Sequence, residues 1–594
     1  MTAFQNLVAA FNSTVQKKPE DTAIRFYEDK SWQTLSWQDL QSAIQRVAGG
    51  LKRLGVQKGD RVAIFSRTRY EWTIVDLGIL AVGGVVVPIY ESSTDDQAAY
   101  ILENAEVKVL FVENKELFSR IEKEKDNIAS LQQIVSFEEL PQKAEGIYSL
   151  NELKILGVES GQEIYEAALK QIAPDDIASL VYTSGTTGNP KGAVLTHHNF
   201  MCEVEACIDV FPHREGYESL IFLPLAHILA RVVQYFHLRL GFVQAYAESI
   251  DRLLENIATI RPHFMASVPR IFEKIHTRTM QNAENAKPAQ RKIFDWAVAV
   301  GRERSRLVLN HQKIPFYLQA KCNLADKLVF QKLHKKLGGR LEFFISGGAP
   351  LSEEVGGFFH AFGFTILEGY GLTETTAAVS INRMEATKIG TVGLPLKGCE
   401  IKIAGDGEIL VRGDMVFQGY FKNQEATDAV MNSEGWFHTG DIGQIDEEGF
   451  IKITDRKKDI IVTAGGKNIA PQNIENLMKT DPFISQFVVH GDKRKFLSAL
   501  VTLDQDEIMR YAKDHKIAFN DYPDLIRQEK IFTFVKQRIE EKNKELAKYE
   551  TIKRFQILPT DFSVESGELT PTLKVKRKVI TNRYKKIFDS FYNE

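Results

Sequence analysis

Residues 178–199 read ASLVYTSGTTGNPKGAVLTHHN. The β-branched and aromatic run ending at Tyr182 predicts a strand. It delivers a loop of small residues: Thr183, Ser184, Gly185, Thr186, Thr187 and Gly188. Glycines let a backbone approach a polyphosphate, hydroxyls donate to its oxygens, and Lys191 adds a cation. The Walker spacing GxxxxGK[ST] is missing, because Gly188 is followed by Asn-Pro-Lys-Gly. That argues against a P-loop nucleotide hydrolase. From the residues alone this is a phosphate-binding loop, with an ordinary glycine-rich turn as the alternative.

Around this stretch, short β-branched runs alternate with amphipathic segments. RVAIFS (61–66) and VKVLFVE (107–113) read as strands with a helix from Tyr70 to Val82 between them. SLIFLP (219–224), FVQAYA (242–247) and LEFFISGG (341–348) repeat the pattern. Such alternation predicts parallel sheets covered by helices. Residues from about 270 to 336 are long, charged and helical, which predicts an insertion packed on that body. After Gly405 the texture changes to short strands and tight turns, and DEEG (446–449) joins two of them. A charged hinge at DRKKD (455–459) then leads into mixed strands and a charged helix around Glu529–Tyr549. The expected fold class is α/β. A large N-terminal domain (1–455) of stacked, mostly parallel sheets with helices is followed by a small mobile α+β C-terminal domain (456–594).

Further polar groups gather in three places. SGGAPLSEE (346–354) is a strand end with two glycines before a helix whose first turn carries Ser352, Glu353 and Glu354. FTILEGYGLTETT (364–376) sets Tyr370 between Gly369 and Gly371, with Thr373 and Glu374 beyond. An aromatic between glycines can lie against a nucleobase, and a carboxylate beside hydroxyls suits Mg²⁺. The bland reading makes Tyr370 core and Glu374 a cap or ion pair. Asp441, in a Thr-Gly-Asp turn, could accept both hydroxyls of a ribose, and Arg456 could reach ribose or phosphate. Near the end, GELTPTLKVKRKVI (567–580) carries Lys574, Lys576, Arg577 and Lys578, three of which read as a solvated cationic edge.

Bulk properties narrow the class. A chain of 594 residues needs at least two domains. A net charge of −3 argues against general nucleic-acid binding. The four cysteines make no disulfide framework and read as thiols in a reducing compartment. The apolar run Leu77–Tyr90 falls short of the roughly 20 residues a spanning helix needs. No basic region followed by an apolar run marks a secretory signal. A cytoplasmic protein without a transmembrane segment is expected, with peripheral membrane contact left open and oligomeric state unread.

Taken together and in this order, YTSGTTGNPKG, GYGLTE, TGD and the DRKKD junction resemble the adenylate-forming superfamily of acyl-CoA synthetases, luciferase and peptide synthetase adenylation domains. VTAGGKNIAPQNIE, LTPTLKVKRKV, FLPLAHILAR (222–231) and the helices after VPRIFEKI resemble its long-chain acyl-CoA synthetases most closely. The resemblance implies ATP-dependent activation of a long-chain fatty acid through an acyl-adenylate, then transfer to CoA, with Mg²⁺ as cofactor. A fatty acyl-AMP ligase serving a carrier protein is the nearest alternative.

By motif position the resemblance assigns Thr183 to Lys191 to the triphosphate and Glu374 with Thr183 to the metal. Gly348, Ala349, Gly369, Tyr370, Gly371 and Thr373 fall to the nucleotide, and Asp441 and Arg456 to the ribose. Lys574 matches a mobile lysine that reaches the α-phosphate, although Leu573 stands where the family usually has glycine. Lys458 matches the hinge, and His227 a position near the acyl carboxylate, with a core histidine as the alternative.

Overall fold

The computed structural model describes residues 4–124, 128–140, 144–183, 189–464, 467–570 and 574–592. A seven-stranded sheet is built on the parallel strands Arg61–Phe65, Val85–Ile89 and Val107–Val112, with Ile177–Thr183 beside Val85–Ile89. Its edge strand Lys191–Thr196 runs antiparallel to Ile177–Thr183, so the next described element after the small-residue loop is a strand, not a helix. The second sheet has nine strands. Its parallel centre is Glu218–Ile221, Phe264–Ser267, Phe343–Ser346 and Thr365–Tyr370, and both edges are antiparallel.

Period-two alternation explains how these sheets stack. Val62 and Ile64 face one core while Ala63 and Phe65 face another. Phe264, Phe343 and Ile345 join the first of these cores, and Met265 and Phe344 face a third. One shared core therefore lies between the sheets, filled by helices Trp37–Arg53, Tyr70–Ala81 and Ile228–Leu240. Inside it Arg231 and Asp76 form a fully buried ion pair at 2.8 Å. The same guanidinium donates to the Ser179 hydroxyl at 3.1 Å and lies 5.2 Å over the Trp72 ring. Burying both charges is tolerated because each is paired and hydrogen-bonded.

The outer face of the nine-stranded sheet is covered by helices Pro269–Glu284, Pro288–Leu309 and Phe316–Ala325, the last continuing through a π-turn at Asp326–Phe330 to Lys336. A four-stranded antiparallel sheet follows, from Cys399–Ile403 to Ile451–Arg456, so the change of texture begins a few residues before Gly405. From Ile461 onward the apolar residues form cores of their own about the three-stranded sheet Ile484–His490, Leu497–Leu503 and Ile552–Ile557. The small C-terminal domain is thus α+β. Two local expectations shift. Ser352 caps its helix by accepting from the Val355 amide rather than entering the first turn. The charged helix stops at Asn543, whose side chain exchanges two hydrogen bonds with the Ile552 backbone.

Candidate active site

Asp441 and Arg456 face each other on paired antiparallel strands, Phe437–Ile445 and Ile451–Arg456. Arg456 Nε lies 2.7 Å from Asp441 Oδ1, and the Tyr370 hydroxyl donates to Asp441 Oδ2 at 2.7 Å. Burial pushes the Asp441 carboxyl upward, and Arg456, the Tyr370 hydroxyl and Lys574 oppose that shift. Tyr370 is buried, as the bland reading had it, and also belongs to the cluster.

Glu374 sits on the single turn Thr373–Thr375, where its Oε1 accepts from the Tyr420 hydroxyl at 2.7 Å. The Tyr420 ring in turn carries Lys191 Nζ 5.0 Å from its centroid. Beyond the turn, Thr376 and Ala377 take φ of 55° and 98°, a left-handed backbone that residues with a Cβ rarely adopt. Two contacts hold it there. Thr376 Oγ1 donates to the Met415 carbonyl at 2.7 Å, and the Ala378 amide donates to Glu203 Oε1 at 2.8 Å. Glu203 is fully buried on helix His197–Ile208, and burial drives its acid well above the usual range. Gly371 is obligatory here, since a Cβ would come within 1.4 Å of the Ala377 carbonyl oxygen.

His227 caps helix Ile228–Leu240 by accepting the Leu229 amide at Nδ1, 3.2 Å away. That leaves the imidazole proton on Nε2. Burial and the charge of Lys574 hold the ring at about 4, so it is neutral near pH 7. Strand Phe343–Ser346 ends at Gly347 and Gly348, and Gly348 has a φ of 83° with open space where a side chain would be. The buried Glu368 accepts the Leu351 amide at 3.1 Å and is pushed by burial up to about 8. It therefore ties the far end of that glycine loop to the strand carrying Tyr370.

Lys574 comes from the C-terminal domain. Its amide donates to Thr570 Oγ1 at 3.0 Å, and its carbonyl accepts the Thr570 amide at 2.8 Å. The residue keeps surface open to solvent, yet protein surrounds its ammonium closely enough that burial, with Arg456 nearby, lowers it to about 8. Asp441 and Glu374 act on it in the opposite sense. Two domains thus place lysine, carboxylates, arginine and a neutral imidazole around one cleft.

The chain as a whole has known relatives. Residues 11–421 match the family model described as AMP-binding enzyme, and residues 458–594 match its C-terminal domain. The chain is an AMP-binding enzyme. It is 39% identical to the long-chain-fatty-acid–CoA ligase FadD15 of Mycobacterium tuberculosis, across 95% of this chain and 93% of that protein. In fold it is similar to the adenylation domain of a carboxylate reductase from Mycobacterium chelonae. That match has a TM-score of 0.80 at 21% identity and covers 99% of this chain and 91% of that one. The o-succinylbenzoate CoA synthetase of Bacillus subtilis, solved with ATP and magnesium, is similar with a TM-score of 0.66. It is 22% identical, over 96% of this chain and 98% of that one.

Of the residues singled out in the sequence, the AMP-binding enzyme gathers Tyr370, Glu374, Asp441, Arg456, His227 and Lys574. Lys191 joins through Tyr420. Thr183 pairs with Lys191 across the hairpin, its hydroxyl 3.4 Å from the Lys191 carbonyl. Lys458 lies in the turn after Arg456, its ammonium lowered by burial. Ser184, Gly185, Thr186, Thr187, Gly188 and Leu573 lie outside the described residues.

Tyr420, Glu203 and Glu368 were not read from the sequence. Glu368 stood inside a quoted motif, but nothing in its spacing marked it as buried. On helix His197–Ile208, His198 and Cys202 lie one helical turn apart with Asp414 beside them, their donor atoms within 4.8 Å of one another. Burial holds that thiol at about 11, so it is protonated rather than a thiolate ligand near pH 7.

Proposed function

We propose that this chain is a long-chain-fatty-acid–CoA ligase that forms an acyl-adenylate from ATP and then passes the acyl group to CoA. The convergence of Lys574 with Glu374, Asp441 and Arg456 carries this reading. A carboxylate is a poor acyl donor, so its oxygen attacks the α-phosphate of ATP and expels pyrophosphate. Little covalent work falls to the protein, and positioning and charge neutralisation dominate. Lys574 and Lys191 would meet phosphate charge, and the Asp441–Arg456 pair would meet the ribose. The proton on His227 Nε2 would face the acyl carboxylate.

Mg²⁺ fits the Glu374 carboxylate and the Thr183 hydroxyl, both hard oxygen donors, because each keeps a lone pair beyond its present contact. Bound there, the ion would neutralise the departing pyrophosphate. The division at 455/456 is proposed as the boundary about which the small domain turns, with Lys458 at the hinge. Turning would withdraw Lys574 and present the CoA thiol to the acyl carbonyl, where the C–S bond forms as the acyl–phosphate bond breaks and AMP leaves. A lid of this kind also keeps water from the mixed anhydride.

The test is pyrophosphate release and CoA-thioester formation with ATP, Mg²⁺ and saturated acids from short to very long. Thioester from the long acids is expected. No pyrophosphate with any acid would refute the reading, and acyl-AMP accumulating in the presence of CoA would favour the carrier-protein alternative.

A further inference from the structure

We propose that the outer helical layer formed by residues 269–336 is a docking surface for an anionic lipid bilayer, with Phe316 and Tyr317 entering the headgroup region. Within a chain of net charge −3, this segment holds fifteen lysines and arginines against five acids, so it carries +10 and the remainder −13. Among the described residues no helix is long and apolar enough to cross a membrane, so any contact is made from one side.

The run from Phe316 to Lys336 spends one face on the protein interior. Leu318, Cys322, Ala325, Phe330 and Leu333 pack into the core outside the nine-stranded sheet. The opposite face of such a helix is ordinarily polar. Here it carries Tyr317, Leu324 and Leu328, which helical spacing sets in one outward stripe, with Phe316 at its start. Phe316 is 90% exposed, Tyr317 59% and Leu324 50%. Lys321, Lys327, Lys332 and Lys335 border the stripe and point into solvent, and Lys321 Nζ lies 5.7 Å over the Tyr317 ring. None of these four lysines makes an ion pair among the described residues, and Asp326 is the sole acid of the run.

An exposed apolar stripe flanked by lysines is the pattern of a helix lying in a lipid interface. The charge selects an anionic partner, and the protruding aromatic and leucine side chains select a lipid surface over bare phosphate, which would use only the lysines. The inference does not depend on the ligase reading, since docking needs neither ATP nor CoA.

Flotation of the full chain tests it, with vesicles of phosphatidylcholine alone and with about one-third phosphatidylglycerol. Binding is expected to the anionic vesicles only, and loss of it in about 0.5 M salt. The double variant Phe316→Ser/Tyr317→Ser should bind about tenfold more weakly. Lys321→Glu/Lys327→Glu/Lys332→Glu should bind at least about a hundredfold more weakly. Both should keep parental turnover on an acid presented below its micellar concentration, which also shows that they fold. Equal binding to neutral vesicles, or parental binding by the charge-reversed variant, overturns the proposal. So does self-association in sedimentation velocity that the double variant abolishes, which would make the occupant a second copy of the chain.

Discussion

On one side of the cleft, Tyr370, Asp441 and Arg456 are fixed by strand pairing, and both Asp441 oxygens already hold a partner. On the other side, Lys574 arrives on a short segment tied by its two bonds to Thr570 and an isolated bridge between Leu569 and Val575. The first side lies on paired strands of the large domain, with Arg456 at the boundary itself. The second is carried by a domain whose apolar residues pack among themselves. A preformed half and a delivered half suit a two-step reaction, in which one set of contacts persists and the other is exchanged.

Removing the delivered group should break this contrast most sharply. Lys574→Ala is expected to slow adenylate formation by about 10²- to 10³-fold and leave thioester formation from supplied acyl-AMP near parental. Equal loss in both half-reactions would show that the two sides are not separable. Proton loss should act next. Lys574 is charged below its value of about 8 and neutral above it, so the ammonium is lost as pH rises through that point. The kcat/KM of adenylation for ATP should then be level below about pH 8 and fall up to about tenfold per unit above it. In Lys574→Arg that limb should vanish from the accessible range, because a guanidinium stays protonated. A parental profile still climbing beyond that point would remove the lysine from the step.

The preformed side is sharpened by smaller changes. Glu203→Ala leaves the Ala378 amide without its acceptor beneath the strained turn and should cost about 1–3 kcal/mol in urea unfolding. Glu203→Gln keeps a carbonyl acceptor and should restore most of that loss and the parental Mg²⁺ titration. If both variants titrate Mg²⁺ as the parent does, Glu203 supports the fold and not the position of Glu374. Tyr420→Phe should have the smallest effect. Losing one hydroxyl bond to Glu374 should raise the KM for Mg·ATP about fivefold, the equivalent of about 1 kcal/mol, with kcat little changed. An unchanged KM would leave the tyrosine as a platform for Lys191 alone.

How much of this could be read beforehand follows from how each residue acts. Lys191, Glu374, Asp441, Arg456 and Lys574 stand in short motifs whose neighbouring glycines and hydroxyls declare the chemistry. The strand–helix alternation gave the layered body, because burial on alternate faces writes itself into period two. Glu203 and Tyr420 are different. Glu203 works through an amide 175 positions away, and Tyr420 through a carboxylate 46 positions away, and no local pattern encodes such pairings. The order of strands in the two sheets is hidden for the same reason. The early stop at Asn543 was missed because helical charge pattern continues past it, while the bond that ends the helix comes from a later strand.

The Arg231 guanidinium grips Ser179 on the strand leading to Thr183, and it sits one turn beyond His227 on the helix which that histidine caps. Both approaches to the cleft therefore hang from a single, fully buried cation. A substitution at Asp76 would strand that cation and let both approaches drift at once. Its kinetic signature would pass for damage at the reacting centre.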